Sequence, residues 1–212
     1  APNQALTDPN GLLALGGNLS VGTLYKAYEN GIFPWYCEEQ PIMWWSPDPR
    51  AVIYLDNLKI NRTLRKFINK HPYQVTFNTA FSEVIDFCAD APFRNDDTWI
   101  IDDMRNAYID LHEAGFAHSV EVWHDDVLVG GLYGVAIGGF FSGESMFYTA
   151  PNASKVALIS LAEKLKQCGA LFIDCQIMNP FLESMGASEI SREQFIIEMK
   201  QQQSLGIDRL LG

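Results

Sequence analysis

Apolar residues follow a strand-like pattern through the middle of this sequence and a helical pattern directly after it. Three segments rich in aromatic and β-branched residues, at 117–123, 127–137 and 140–148, are separated by Asp125-Asp126 and Gly138-Gly139. Turn residues between short apolar segments are typical of β-hairpins. The pattern therefore predicts an antiparallel meander of three strands.

The segment after the meander predicts a helix followed by one more strand. Asn152 or Ser154 can cap the helix, and Gly169 can end it. Apolar residues recur along it at roughly helical spacing, at Val156, Leu158, Leu161 and Leu165. The strand is expected at 171–178, and a strand joined through a helix normally pairs in parallel with its predecessor.

Two polar side chains interrupt the apolar strand predicted at 171–178. Side chains alternate across a strand, so Asp174 and Gln176 lie on the same face. A parallel strand is usually buried on both faces, and a buried carboxylate is costly without partners. Asp174 is therefore expected to have a partner or a function.

The rest of the chain predicts short helices and strands around an aromatic segment. Helices are expected at 21–29, 59–70, 82–89 (capped by Ser82), 102–114 and within 183–199, and strands at 51–55 and 74–77. The segment 31–50 holds three of the five tryptophans and four prolines, which exclude a regular helix. It is expected to be an ordered aromatic loop that either offers a stacking surface or plugs the junction of two domains.

The charge of the chain argues against a general nucleic-acid binder. Its formal net charge is −11, with 15 basic and 26 acidic residues, and phosphate contacts need a surplus of cations. Five of the 15 basic residues nevertheless lie in the helix predicted at 59–70. Its cationic face is either simply solvated or binds an anionic partner.

Several familiar kinds of site are missing from the sequence. The four cysteines form no C-x-x-C pair and the four histidines show no metal-ligand spacing, so neither a disulfide framework nor a metal site is expected. A reducing cytosol fits best, and neither a signal peptide nor a membrane span is expected. A hydrophobic content of 48% with 19% charged residues is that of an ordinary globular protein.

The order of the predicted elements, an antiparallel meander, a helix and a parallel strand, is that of acetyltransferase-like folds. Enzymes of this fold that use acyl-CoA place a glycine-rich turn at the start of the helix, where backbone N–H groups receive the pyrophosphate. The corresponding turn here, at 149–154, contains no glycine. CoA is therefore not expected as the donor, and the acyl group is expected from another carrier.

Several longer motifs resemble, in the same order, those of the bacterial leucyl/phenylalanyl-tRNA–protein transferases. They are FPWY at 33–36, WWSPDPRAVI at 44–53, TWI at 98–100, HSVEVW at 118–123, VGGLYGVA at 129–136, GESMF at 143–147, NASK at 152–155 and IDCQ at 173–176. The resemblance covers about residues 8–190. It implies an α+β fold in which a small N-terminal domain, at 1–48, precedes an acetyltransferase-like domain with a mixed sheet flanked by helices, at 49–212.

The resemblance also implies an activity. Members of this family move Leu or Phe, and Met less well, from aminoacyl-tRNA to the α-amino group of proteins that begin with Arg or Lys. The product is marked for degradation by the N-end rule pathway. The implied partners are aminoacyl-tRNA and such proteins, with no DNA, membrane or cofactor, and the implied location is the cytoplasm.

The resemblance assigns roles to individual positions. Asp174 and Gln176 match the catalytic pair, and Glu144 matches an acidic residue of the same cleft. The residues implied to bind the terminal adenosine of tRNA are Trp35, Trp99 and Tyr108. Those around the transferred side chain are Leu132, Met146, Leu158, Leu161 and Ile173, and those of the basic tRNA-binding patch are Arg62, Arg65, Lys66 and Lys70.

A mechanism follows as a hypothesis. Aminolysis of an ester is downhill, so the enzyme mainly supplies positioning and a neutral amine. Asp174 is expected to orient the Gln176 amide, whose carbonyl accepts a hydrogen bond from the attacking amine. The proton then goes to Asp174, the leaving ribose hydroxyl or water. Two rivals remain: an acyltransferase acting on a peptidoglycan precursor or small amine, and a tRNA-binding module without catalysis.

Overall fold

A computed structural model describes residues 1–90, 101–206 and 211 of the 212-residue chain. Its strands are β1 (Leu12–Leu15), β2 (Phe33–Pro34), β3 (Met43–Trp45), β4 (Arg50–Tyr54), β5 (Gln74–Phe77), β6 (Ala117–His124), β7 (Val127–Ile137), β8 (Phe140–Tyr148), β9 (Phe172–Gln176) and β10 (Ser188–Ile190). Its helices are α1 (Val21–Glu29), α2 (Arg62–Ile68), α3 (Phe81–Ala89), α4 (Asp102–Glu113), α5 (Ala153–Gln167), α6 (Pro180–Ser184) and α7 (Arg192–Gln203). The α+β class is confirmed.

The central sheet has seven strands in the order β10-β4-β9-β8-β7-β6-β5. The predicted meander is confirmed, since β6, β7 and β8 pair antiparallel. The predicted crossover is confirmed too, because α5 joins β8 to β9 and these two strands pair in parallel. The sequence of elements expected for an acetyltransferase-like domain is therefore present.

Side chains of the sheet pack on both of its faces, which places the sheet in the middle of the molecule. Along β7, Leu132 and Ala136 join the cluster formed with α5. Tyr133 and Val135 join the opposite cluster, formed with α1, α3 and α4. This alternation explains why β7 reads as a continuous apolar segment, since both of its faces are covered.

The parallel pairing of β8 with β9 is short, and this creates the site described below. It extends over Phe141–Ile173 and Ser142–Asp174. Beyond these pairs β8 stays with β7 as far as Tyr148, whereas β9 stays with β4. The two strands therefore separate at Gly143, and a cavity opens between them.

Three local predictions need correction. The segment 31–50 is not only a loop: β2 and β3 form a small antiparallel sheet with β1, and Pro34 is tolerated because β2 is an edge strand. The helix predicted at 82–89 begins at Phe81 with Ala80 as its N-cap, so Ser82 does not cap it. The region 183–199 does contain helix, the end of α6 and most of α7, but β10 lies between them. Gly186, with φ of 102°, follows the end of α6 and stops that helix from continuing.

The predicted cationic helix is shorter than its sequence pattern. The Asn61 side chain accepts a hydrogen bond from the Leu64 backbone N–H at 2.8 Å, so α2 begins directly after Asn61. Asn69 is the C-cap, which leaves Lys70 beyond the helix. The division of the chain at 48/49 stays a prediction.

Candidate active site

The cavity between the diverging ends of β8 and β9 has a volume of about 640 Å³. Ligand sites for small molecules span roughly 300–1,000 Å³. The cavity is therefore large enough for one small molecule or the end of a polymer. Its walls come mainly from β7, β8, β9 and α5, with Phe33, Pro34 and Trp35 at one side.

Most of the cavity lining is apolar. It contains every residue predicted to surround the transferred side chain, together called the apolar wall below, namely Leu132, Met146, Leu158, Leu161 and Ile173. These residues belong to four different elements, and the crossover from β8 through α5 to β9 brings them together. Trp35 also lines the cavity and is 41% exposed, so its ring is available at the rim.

The same lining carries the predicted acidic residue, Glu144, and the predicted amide, Gln176, in direct contact, and these two residues are called the polar wall below. Gln176 Nε2 donates to Glu144 Oε1 at 2.9 Å. The same carboxylate oxygen accepts a hydrogen bond from the hydroxyl of Tyr28, whose own oxygen is hydrogen-bonded to Tyr108. The side-chain carbonyl oxygen of Gln176, Oε1, has no hydrogen bond to any described residue. An acceptor oxygen is thus available at the polar wall.

The environment of Glu144 raises the pKa of its carboxyl group to about 8. Burial is the main cause, since it disfavours the charged form, and the charge of Asp174 acts in the same direction. Hydrogen bonds from Tyr28 and Gln176 oppose the shift but do not cancel it. Burial and the same carboxylate also raise the pKa of Tyr28 well above 10, so Tyr28 remains a donor.

The raised pKa of Glu144 predicts a pH-dependent stability. The folded state binds the Glu144 proton more tightly than the unfolded chain, so stability falls as pH rises from about 4.5 to about 8. Glu144→Gln should remove this component. We expect the wild-type free energy of unfolding, minus that of Glu144→Gln, to fall by a few kcal/mol across this range. Denaturant titrations at several pH values measure it, and a constant difference would contradict the prediction.

Asp174 is buried in its strand and has the partner that such a position was expected to require. It is 0% exposed and forms a two-point ion pair with Arg50, through Nε to Oδ1 at 2.8 Å and Nη2 to Oδ2 at 2.7 Å. Ser142 Oγ also donates to Oδ2, at 2.8 Å. Asp174 contacts the backbone N–H of Gln176 at 3.0 Å. Asp174 therefore does not contact the Gln176 side-chain amide: Glu144 contacts the amide, and Asp174 holds the backbone of the same residue.

Three residues of this network were missed from the sequence. Arg50 lies in the quoted motif at 44–53, and its signal was a cation directly before an apolar strand, which needs a buried partner. Ser142 precedes Gly143 and Glu144 in β8. Tyr28 carries no signal in the sequence, because a tyrosine on an apolar helix face is ordinary core composition.

The three residues predicted to bind adenosine lie in different settings. Trp35 lines the cavity. Tyr108 is 0% exposed and does not line it; it is connected to the cavity through Tyr28 and Glu144. Trp99 lies outside the described residues.

The basic residues at 62–70 lie apart from the cavity. Arg62, Arg65, Lys66 and Lys70 are all exposed, and none of them lines the cavity. The first three belong to α2, whose apolar side packs against the α5 cluster. Their role as a tRNA-binding patch stays a prediction.

Two kinds of feature do not occur within residues 1–90, 101–206 and 211. No group of three or more His, Cys, Asp or Glu side chains in these ranges could hold a metal ion. No helix in the same ranges is long and apolar enough to cross a membrane.

The split mixed sheet, with a mainly apolar cavity where two strands diverge, defines an α+β acetyltransferase-like domain. A GCN5-related N-acetyltransferase-like protein from Streptococcus suis is similar over 80% of this chain and 64% of its own, with a TM-score of 0.40 and 11% identity. A GCN5-related N-acetyltransferase from Kribbella flavida is similar over 80% and 61%, with a TM-score of 0.41 and 12% identity.

Sequence comparisons identify the family. The family model "Leucyl/phenylalanyl-tRNA protein transferase" matches residues 52–200, and the model of that family's N-terminal domain matches residues 17–48. Proteins named leucyl/phenylalanyl-tRNA–protein transferase are 62% identical in Colwellia psychrerythraea and 54% identical in Pseudoalteromonas atlantica. These alignments cover 95% and 94% of this chain, and 85% and 86% of the relatives. The chain belongs to the leucyl/phenylalanyl-tRNA–protein transferase family and is a transferase.

Proposed function

We propose that this protein transfers Leu or Phe, and Met less well, from aminoacyl-tRNA to the α-amino group of proteins that begin with Arg or Lys. The transfer marks those proteins for the N-end rule pathway of degradation, in the cytoplasm where charged tRNA is found. The observation that carries the proposal is the Glu144–Gln176 pair, which lines one cavity together with five apolar side chains. Membership of the family supports the same activity.

The apolar wall accounts for the proposed choice of amino acid. Leu, Phe and Met can bury their side chains against Leu132, Leu158 and Leu161, and the flexible Met146 can adapt to each of them. A charged side chain would lose its hydration without gaining a partner. A small side chain would bury less apolar surface and so bind less tightly.

The polar wall accounts for the proposed chemistry. The neutral α-amine of the acceptor attacks the ester carbonyl carbon, a C–N bond forms, and the C–O bond to the terminal ribose breaks. The amine loses one proton and the leaving ribose oxygen gains one, so the step is balanced. The Gln176 carbonyl oxygen accepts a hydrogen bond from the attacking amine and aligns it. Its amide group is held for this purpose by Glu144 at 2.9 Å.

Glu144 is better suited than Asp174 to assist with the amine proton. Its pKa of about 8 is close to that of an N-terminal amine, about 8, and proton exchange is most effective between groups of similar pKa. Asp174 is ion-paired and fully buried. We propose that Glu144 takes up the proton that the acceptor amine releases before attack, and that the ribose oxygen receives the second proton.

The donor is proposed to bind in two places. The cavity takes only the terminal aminoacyl-adenosine, because its volume of about 640 Å³ is far too small for a folded RNA. Trp35, at the rim, can stack on the adenine base, and Trp99 is the other proposed direct contributor. Tyr108 is fully buried, so its proposed part is indirect, through Tyr28 and Glu144. The body of the tRNA would lie along the exposed cations Arg62, Arg65, Lys66 and Lys70.

The transfer itself is tested with labelled leucine. We expect label to move from Leu-tRNA to a peptide with a free N-terminal Arg, and none to move to the same peptide after N-acetylation. A third peptide, with Asp in place of Arg, tests the acceptor preference and should be labelled poorly. If neither Arg peptide is labelled by a protein that binds Leu-tRNA, the proposal is wrong. Labelling of a peptidoglycan precursor or small amine would then identify the rival acyltransferase.

The basic residues of α2 are expected to bind phosphates of the tRNA. Arg62→Ala combined with Lys66→Ala should weaken Leu-tRNA binding, because both cations are exposed and make no ion pair within the described residues. The slope of log K against log salt should flatten by roughly 0.7–0.9 for each lost phosphate contact. Fluorescence titrations at several salt concentrations measure this slope.

A matched control separates this local effect from the general loss of positive charge. Lys26→Ala combined with Lys200→Ala removes the same charge from α1 and α7, where both side chains are exposed. This variant should keep the wild-type slope. Equal slopes for the two double variants would mean that the cationic face of α2 is simply solvated and does not bind tRNA.

A further inference from the structure

A buried arginine, Arg50, lies directly behind the polar wall of the cavity. It begins β4, which pairs with β9, the strand of Asp174 and Gln176. Arg50 is 1% exposed and is the largest of the fully buried side chains among the described residues. A guanidinium group is costly to bury unless its donors are paired, so its presence here requires a reason.

The contacts of Arg50 hold it in one position. Two of its nitrogens donate to the two carboxylate oxygens of Asp174, at 2.8 and 2.7 Å, and Nη1 donates to the Gly31 carbonyl at 2.9 Å. The rings of Phe33 and Phe195 lie against the guanidinium, with centroids 5.1 and 4.3 Å from its central carbon. This planar, two-point contact is specific to arginine, because lysine offers only a point charge.

The consequence for Asp174 is that its acceptor capacity is full. A carboxylate has about four lone-pair positions. Arg50 occupies two of them, the Ser142 hydroxyl a third at 2.8 Å, and the Gln176 backbone N–H a fourth at 3.0 Å. Asp174 therefore has no position left for a substrate proton or amine.

The fourth of these contacts reaches the cavity. Gln176 ends β9 with a φ of 65°, a left-handed backbone conformation that is uncommon for residues other than glycine. The Asp174 carboxylate accepts from the N–H of this residue and so holds the conformation. With its backbone turned in this way, Gln176 directs its side-chain amide to Glu144.

We propose that Arg50 is a positioning residue for the transfer reaction: through Asp174 it holds the backbone at Gln176 and thereby aims the Gln176 amide. Asp174 is then a second positioning residue and not a proton acceptor. The inference rests on the proposed function, in which Gln176 aligns the attacking amine. It predicts that the transfer rate depends on the two-point geometry of the Arg50–Asp174 contact as well as on the positive charge of Arg50.

Arg50→Lys tests this inference because it keeps the charge and loses the two-point contact. We expect its single-turnover rate of leucine transfer at saturating peptide to fall by about 30- to 100-fold, with the Kd for Leu-tRNA within about twofold of wild type. Rates are expressed per tRNA-binding site, so that a loss of folded protein does not count. Arg105→Lys is the matched control: Arg105 makes a similar two-point contact with Asp86, partly exposed and outside the cavity lining.

Two further variants keep the result decisive. Arg50→Lys combined with Gln176→Ala should be no slower than Gln176→Ala alone, because both changes remove the same aimed amide. If Arg50→Lys fails to bind tRNA, the pair Arg50→Met with Asp174→Asn, which buries no charge, replaces it and should show the same slow rate per site.

The outcomes separate the inference from the proposed function. A wild-type rate for Gln176→Ala would show that the proposed role of Gln176 is wrong. A slow Gln176→Ala together with a wild-type rate per site for Arg50→Lys, or a multiplicative loss in their combination, would overturn the inference alone.

Discussion

Replacing Asp174 with alanine is expected to lower the free energy of unfolding by about 3–5 kcal/mol, because it leaves the Arg50 guanidinium buried without its counter-ion. Arg50 and Asp174 are 1% and 0% exposed, so water cannot replace the lost carboxylate. Urea denaturation measures the change. Transfer activity should be lost as well, since the backbone N–H of Gln176 loses its acceptor.

The loss of unfolding free energy in Asp174→Ala can be compared with the loss from breaking an exposed ion pair. Asp86→Ala removes the partner of Arg105, but these side chains are 47% and 33% exposed, and an exposed pair contributes about 0–1 kcal/mol. Combining Asp174→Ala with Arg50→Met should recover part of the lost stability, because no buried charge then remains. Equal losses for Asp174→Ala and Asp86→Ala would be incompatible with the buried pair.

Replacing Gln176 with alanine is expected to slow leucine transfer by about 100-fold. The variant lacks both the amide that contacts Glu144 at 2.9 Å and the carbonyl oxygen proposed to align the amine. Binding of Leu-tRNA should change little, because the apolar wall and the basic face of α2 are intact. Single-turnover transfer to an Arg-starting peptide measures the rate, and filter binding measures the affinity.

Two controls define what this result means. Gln194→Ala removes another glutamine that donates to a glutamate, Glu198, at 3.2 Å on the exposed face of α7, and it should not affect the rate. Gln176→Asn keeps a residue that tolerates the left-handed conformation but shortens the side chain by one methylene, so it should remain slow. A rate within about twofold of wild type for Gln176→Asn would mean that the contact with Glu144 is unimportant.

Much of the fold was predictable because its signals are local. The strands of the meander begin and end close to the predicted residues, since Asp125-Asp126 and Gly138-Gly139 supply turns at the required positions. Prediction was poorer where short elements depend on distant partners. The strands β2 and β3 pair with each other, and β1, from outside the segment 31–50, completes their small sheet. No period within the segment indicates that partner.

The cavity was predictable in its apolar part and less so in its polar part. The family resemblance selected five apolar positions, and all five line the cavity. It also selected Asp174, Gln176 and Glu144, but the contacts among them differ from those expected. The mechanism hypothesis had Asp174 orient the amide of Gln176, two residues away, whereas the direct contact with this amide comes from Glu144 on the neighbouring strand.

The sequence by itself determined the fold class, the order of the central strands, the family and the residues of the apolar wall. Each of these depends on local periodicity, turn residues or motifs, which are visible along one stretch of chain. The tertiary structure alone decided the partners of the charged groups: Arg50 meets Asp174 across 124 residues, and Tyr28 meets Glu144 across 116. Ion pairing and pKa depend on which remote groups share a buried environment, and only the folded chain brings those groups together.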